Sequence, residues 1–240
     1  MFKPNTAVLD ALAKKCQDRI ELLDKVLNDK TIVYIDFANV RGFCKRLGWQ
    51  IDLKKLKILF DSFAVKEARF YFGTYRNDDK SQRFMTFVHK TGYKVRTKPV
   101  KIIQVSIDAS SVSAKSPDIL GNFIRDKFLR LLRVEAIEYL NEELKLLNRA
   151  GQTRIEQHKC NFDVEIASDM RVDHILKRAE VFCLWSGDSD FADTVKELIN
   201  DKKKVSIFGT AGGIASELNE LRPHGLEIID IKKLRELIEK

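Results

Sequence analysis

Residues 31–40 read TIVYIDFANV, an apolar, β-branched run that ends on Asp36 and is followed three positions later by Asn39. Five residues of this kind are too few for a buried helix and suit a strand covered on both faces. Downstream, residues 181–191 read VFCLWSGDSDF, where a second such run stops at Trp185 and gives way to Asp188 and Asp190. Between and beyond these, strands are predicted at 68–72, 205–208 and 227–229, with one or two more within 93–107. Helical periodicity marks 53–63, 78–91, 191–200, 213–221 and 231–239, and apolar positions close to helical spacing mark one amphipathic N-terminal helix over 7–28. Strand and helix alternate, which predicts an α/β fold around a mainly parallel sheet. The rhythm breaks after a Ser-rich segment at 109–115, where 118–149 is strongly helical with no strand in it. This piece, about 109–150, is read as an insertion packed on the core of a domain spanning 31–240, with 1–30 as the N-terminal helix.

Composition narrows the function classes. With 240 residues, 44% hydrophobic and 32% charged, the chain can bury a sizeable core, which argues against disorder and fibrous folds. No run approaches the roughly 20 apolar residues of a membrane-spanning helix, and the first fifteen residues lack a signal-peptide pattern, so no membrane partner is expected. The four cysteines (16, 44, 160 and 183) form no CxxC pair, which favours a reducing, cytoplasmic setting without structural zinc. The net charge of +8 is uneven: residues 41–101 hold sixteen Lys and Arg against five Asp and Glu, while 161–240 hold twelve against sixteen. A basic half suits a polyanion, and an acidic half suits hard cations.

In open parallel sheets ligands bind beyond the carboxyl ends of the strands, which directs attention to the acids found there. Asp36, Asp188 and Asp190 follow strands, and Asp163 opens a helix that also carries Asp169. Each has a structural explanation as a turn or cap residue, and Asp169 lies about 240° around an ideal helix from Asp163. As a set they repel one another unless a divalent cation intervenes, and Mg²⁺ prefers such carboxylates together with phosphate oxygens. The chemistry that follows is metal-assisted phosphodiester hydrolysis. Asp173 and Asp193 read as surface acids. Basic residues interleave with aromatics at 69–76 and 83–90; core packing explains Phe70, Phe72, Phe84 and Phe87, which leaves Tyr75 and Arg76, with Lys98 and Lys101, as candidate substrate contacts. The turn at 210–213 lacks a nucleotide-binding motif, and the four histidines show no metal spacing.

Taken together, YIDFANV at 34–40, CNFDVEIASDM at 160–170 and LWSGDSDF at 184–191 resemble the NYN family of PIN-like nucleases. The resemblance implies a PIN-like three-layer sandwich and a Mg²⁺- or Mn²⁺-dependent endoribonuclease acting on single-stranded or locally unpaired RNA. It casts Asp36, Asp163, Asp188 and Asp190 as metal-site acids, adds Asp169 as a further ligand, and gives Asn39 the role of orienting a ligand or water. The sequence departs from the family pattern in two ways: Lys159-Cys160-Asn161-Phe162 approaches Asp163 without the usual glycine, and the helical insertion precedes it. The insertion is open to three readings: a cover for the cleft, a protein-partner surface or a dimer interface. A silent RNA- or protein-binding adaptor on the same fold and a DNA nuclease are the alternatives.

Overall fold

A computed structural model describes residues 2–75 and 78–240 and divides the chain into two compact units, Met1–Pro99 with Cys160–Lys240, and Val100–Lys159. Six strands of the larger unit form one all-parallel sheet: β1 (Thr31–Asp36), β2 (Glu67–Thr74), β3 (Lys94–Pro99), β6 (Val181–Trp185), β7 (Lys204–Gly209) and β8 (Glu227–Asp230). Their order is β3-β2-β1-β6-β7-β8, so the chain winds outward in one direction from β1 and in the other from β6. The crevice at such a reversal is where open α/β sheets bind ligands. β1 is buried at every position because both faces of the sheet are covered, which is why TIVYI shows no polar alternation.

One face is covered by α1 (Ala7–Lys15), α2 (Gln17–Asp24), α3 (Phe37–Leu47), α4 (Leu53–Ser62), α5 (Asp79–Lys90) and α11 (Arg235–Ile238), packed around Val33, Phe60, Phe70 and Trp185. The other is covered by α8 (Asp163–Ile175), α9 (Ala192–Asn200) and α10 (Ser216–Asn219), packed around Tyr34, Tyr71 and Phe182. The predicted α/β sandwich is therefore present. The single N-terminal helix is corrected to two, broken at Cys16 (φ −120°, ψ 39°); the bend lets Leu9, Cys16, Ile20 and Leu23 all reach one core. The helix expected at 213–221 shrinks to α10 because the chain from Thr210 is committed to a tight loop in which Gly212 takes φ +70°.

In the smaller unit, β4 (Lys101–Ser106) pairs antiparallel with β5 (Arg154–Lys159), and α6 (Asp126–Leu129) and α7 (Val134–Arg149) lie between them in sequence. The unit is wider than 109–150 because these two strands belong to it. The side-chain amide of Asn148 on α7 donates to the Ile107 carbonyl at 2.8 Å and accepts from the Ala109 N–H at 2.9 Å. Buried Asn141 donates to the carbonyls of Ala114 and Ser116, which ties the Ser-rich segment to α7. Among the described residues, no helix is long and apolar enough to cross a membrane.

Candidate metal centre

β1 and β6 are neighbours at the centre of the sheet, with Ile35 in register with Trp185, so the residues that follow each strand emerge side by side. Asp36 ends β1 and caps α3: one carboxylate oxygen accepts from the N–H groups of Ala38 and Asn39 at 3.0 and 3.4 Å. The other accepts from Asn39 Nδ2 at 2.8 Å and from Ser186 Oγ at 3.5 Å. Asp188 caps the 3₁₀ turn Ser189–Phe191, accepting from the Asp190 N–H at 3.2 Å. Asp163 is the first residue of α8, anchored by Phe162, Ile166 and Met170 in the core below, and it accepts from Asn161 Nδ2 at 2.8 Å. The capping roles of Asp36 and Asp188 are thus real and fix those acids in place, whereas Asp163 makes no side-chain cap bond and is held by Asn161 instead.

Three of these acids meet. Asp163, Asp188 and Asp190 each bring a carboxylate oxygen into a group lying within 4.8 Å of one another. Among the described residues, no lysine or arginine forms an ion pair with any of them. Burial raises the Asp163 carboxyl to about 6, and the nearby charges of Asp188, Asp36 and Asp190 push in the same direction. Burial raises Asp36 too, against the pull of the Asn39 hydrogen bonds. An all-oxygen, unneutralised donor set with one side open to solvent fits a hard divalent cation such as Mg²⁺ or Mn²⁺. Asp36 stands beside this group rather than within it.

The other expected site residues are distributed differently. Asp169 does not join the group: its carboxylate accepts from Tyr71 Oη at 2.6 Å and pairs with Arg96 at 3.1 Å, further along α8. Asn39 acts as a strut, since its side chain also accepts from the Gly187 N–H at 3.4 Å and so links β1 to the loop after β6. Lys98 Nζ lies 2.5 Å from Glu165 and 4.7 Å from the centre of the Phe162 ring, which puts it at the rim of the centre with its charge engaged. Tyr75 is exposed beyond β2, Lys101 stands opposite Lys159 in the smaller unit, and Arg76 lies outside the described residues. Asp173, expected at the surface, is fully buried: Arg69 pairs with it at 2.7 Å and Tyr34 Oη donates to it at 2.7 Å. Ser186, Asn161 and Glu165 were not anticipated; the pairing of Asn161 with an acid two positions on was the one available signal.

The loop carrying the acids is locked by a close backbone approach. A Cβ on Gly187 would lie 1.9 Å from the Gly213 carbonyl oxygen, and Ala215 N–H donates to the Gly187 carbonyl at 2.9 Å. The turn at 210–213 therefore serves as a buttress for the Asp188 loop.

Comparison with known proteins agrees with this geometry. The family model of the NYN domain matches residues 130–226, a span that takes in Asp163, Asp188 and Asp190 but does not reach Asp36. The match is to the same family that the motifs resemble. A crystal structure of a protein of unknown function from Vibrio parahaemolyticus RIMD 2210633 is similar at a TM-score of 0.50 and 18% identity, covering 84% of this chain and 93% of that one. That likeness concerns the fold alone. No curated protein sequence matches the chain.

Proposed function

We propose that the protein is a divalent-metal-dependent endoribonuclease that hydrolyses phosphodiester bonds of single-stranded or locally unpaired RNA. The observation that carries this reading is the convergence of Asp163, Asp188 and Asp190 at the strand-order reversal of an NYN domain, a class composed generally of nucleases. Asp163, Asp188 and Asp190 would hold Mg²⁺ or Mn²⁺. When bound there, such a cation screens the phosphate and makes a water more acidic. The protein's own part is orientation. Asn39 and Ser186 hold one oxygen of Asp36 in place beside the group, where this carboxylate would help to align the attacking water. That water's oxygen bonds to phosphorus as the ribose 3′-oxygen departs in line, which leaves a 5′-phosphate and a 3′-hydroxyl without a covalent enzyme intermediate. The proton lost by water passes to the carboxylate cluster or solvent, and the leaving oxygen is protonated from solvent.

The test is incubation of the purified chain with matched end-labelled RNA and DNA oligonucleotides in Mn²⁺ or in chelator. Metal-dependent cutting of RNA, with 5′-phosphate products, is expected. Binding without cutting under every metal condition would overturn the reading in favour of an adaptor, and preferential cutting of DNA would overturn the substrate assignment.

A further inference from the structure

A second feature of the larger unit has no part in the metal centre. On α5, Arg83, Thr86, Phe87 and Lys90 recur at i, i+3, i+4 and i+7 and so form one stripe of the helix. With Lys54, Lys57 and Ile58 of α4, this stripe lines an open groove of about 600 Å³. Phe87, expected in the core, is 37% exposed, and Lys54 Nζ lies 5.6 Å from the centre of its ring. An exposed ring among cations is unusual for a face with only a solvation role, where lysines alone would serve.

Of the described cations on this surface, only Lys57 is neutralised within the groove. Asp61 is taken by Lys57 at 2.5 Å, and Asp52 is used in capping α4. Among the described residues, Lys54, Arg83 and Lys90 have no carboxylate partner. Lys54 and Phe87 also line an adjoining groove of about 410 Å³, which extends to Arg41 and to Phe37, the residue directly after Asp36. A cationic, partly aromatic surface therefore continues from the neighbour of a site acid to the far end of α5.

We propose that these joined grooves are a track for the single-stranded RNA chain, in which Phe87 stacks on an unpaired base while Lys54, Arg83 and Lys90 contact successive phosphates. The proposal rests on the nuclease reading for the identity of the polyanion, and deepens it by naming where substrate beyond the cut site lies. RNA is favoured over an acidic protein because the surface offers an aromatic face as well as charge, and base stacking on such a face tolerates any sequence.

Anisotropy of a labelled 15-nucleotide oligouridine RNA in chelator, with the full chain, tests it. K54A/R83A is expected to weaken binding about tenfold and to lower the slope of log Kd against log salt by about 1.4, or about 0.7 for each phosphate no longer neutralised. Phe87→Ala is expected to weaken binding about tenfold, and Phe87→Trp to restore it. Cutting of a trinucleotide, too short to span the track, should be the same in wild type and these variants. Crosslinks from 4-thiouridine RNA to the wild-type chain should fall within residues 83–90. Unchanged affinity and salt slope, crosslinks confined to other segments, or displacement of the RNA by polyglutamate at equal charge would each overturn the track. If those variants bind RNA normally and the wild type still cuts it, the track fails and the nuclease reading stands; Phe87-dependent binding without cutting is the reverse case.

Discussion

Gly187 and Gly213 approach so closely that the Gly213 carbonyl oxygen occupies the space a Cβ on Gly187 would need, 1.9 Å away. The obstacle is backbone, so a substitution must displace either the Asp188 loop or its buttress. Gly187→Ala is therefore expected to destabilise the protein by about 1–3 kcal/mol, as overpacking does. It should also weaken Mn²⁺ binding about tenfold or more by moving Asp188 and Asp190 relative to Asp163. Thermal melts with and without Mn²⁺ check both effects; an unchanged melting temperature and an unchanged metal-induced rise would show that the loop tolerates the displacement.

Asp188→Asn preserves the shape of the loop and removes one ligand charge. RNA cutting in Mn²⁺ should fall about a hundredfold or more, equivalent to about 2.7 kcal/mol of transition-state stabilisation. RNA affinity in chelator should stay at the wild-type level or rise, because a negative charge near the phosphates is gone. Matched single-turnover and anisotropy measurements separate the two quantities, and cutting at the wild-type rate would remove Asp188 from the chemistry.

The raised Asp163 carboxyl gives metal binding a pH dependence. A cation must displace the proton held at this site below about 6, so apparent Mn²⁺ affinity should fall by about tenfold per pH unit below that value and level off above it. Stability of the metal-free protein has the opposite sign. The folded-state value lies above the unfolded one of about 3.9, so the folded chain binds more protons between these values; this contribution is present at low pH and is lost as pH rises through about 6. Mn²⁺ at a hundred times its Kd adds about 2.7 kcal/mol. The metal-induced rise in Tm should accordingly be larger at pH 7.5 than at pH 5, and equal rises would contradict the assignment.

Beneath α8, Arg69 is 3% exposed and Asp173 is fully buried; one guanidinium nitrogen donates to Asp173 at 3.0 Å, a second lies 2.7 Å from its other oxygen, and Tyr34 Oη donates to the same carboxylate. Removing Asp173 takes from buried Arg69 its most buried carboxylate partner and leaves it Glu67 and a longer contact to Asp169. Asp173→Ala is expected to lower unfolding free energy by about 3–5 kcal/mol, with the smaller loss for Asp173→Asn, which keeps an acceptor for Arg69. Urea denaturation followed by circular dichroism measures both variants, and a change below about 1 kcal/mol in each would show that the pair is not energetically coupled to the fold.

Much of this architecture was legible because its signals are local. Fully apolar runs ending in acids identified β1 and β6, and chain order brought those acids to the same sheet edge. What escaped had non-local causes. β5 is exposed at all six positions, so RIEQHK carries no alternation to mark it as a strand. Asp173 has the sequence context of a surface acid, and only the pairing of β2 with β1 delivers Arg69 beneath it. Phe87 has core-like spacing on α5, yet α5 covers the margin of the sheet, where Phe84 reaches the cluster and Phe87 projects past it. The distinction between a ligand and a neighbour among the acids likewise depends on hydrogen bonds made across elements.

Asp169 isolates that last distinction. It shares α8 with Asp163, and the family resemblance makes it a ligand, but Tyr71 and Arg96 hold its carboxylate away from the cluster. Those contacts resemble structural hydrogen bonds to a charged group, each contributing about 1.5–3 kcal/mol. Asp169→Asn should therefore lower stability within that range while leaving Mn²⁺ affinity within about twofold of wild type, since no atom of the cluster changes charge or position. Asp163→Asn should do the reverse: metal affinity falls about tenfold or more, and the metal-free protein becomes more stable at neutral pH because a buried, repelled charge has been removed. Calorimetric Mn²⁺ titration alongside thermal melts in chelator resolves the pair. If Asp169→Asn is the variant that loses the metal, α8 must present a different face to the cation, and the assignment of the centre to Asp163, Asp188 and Asp190 would be wrong.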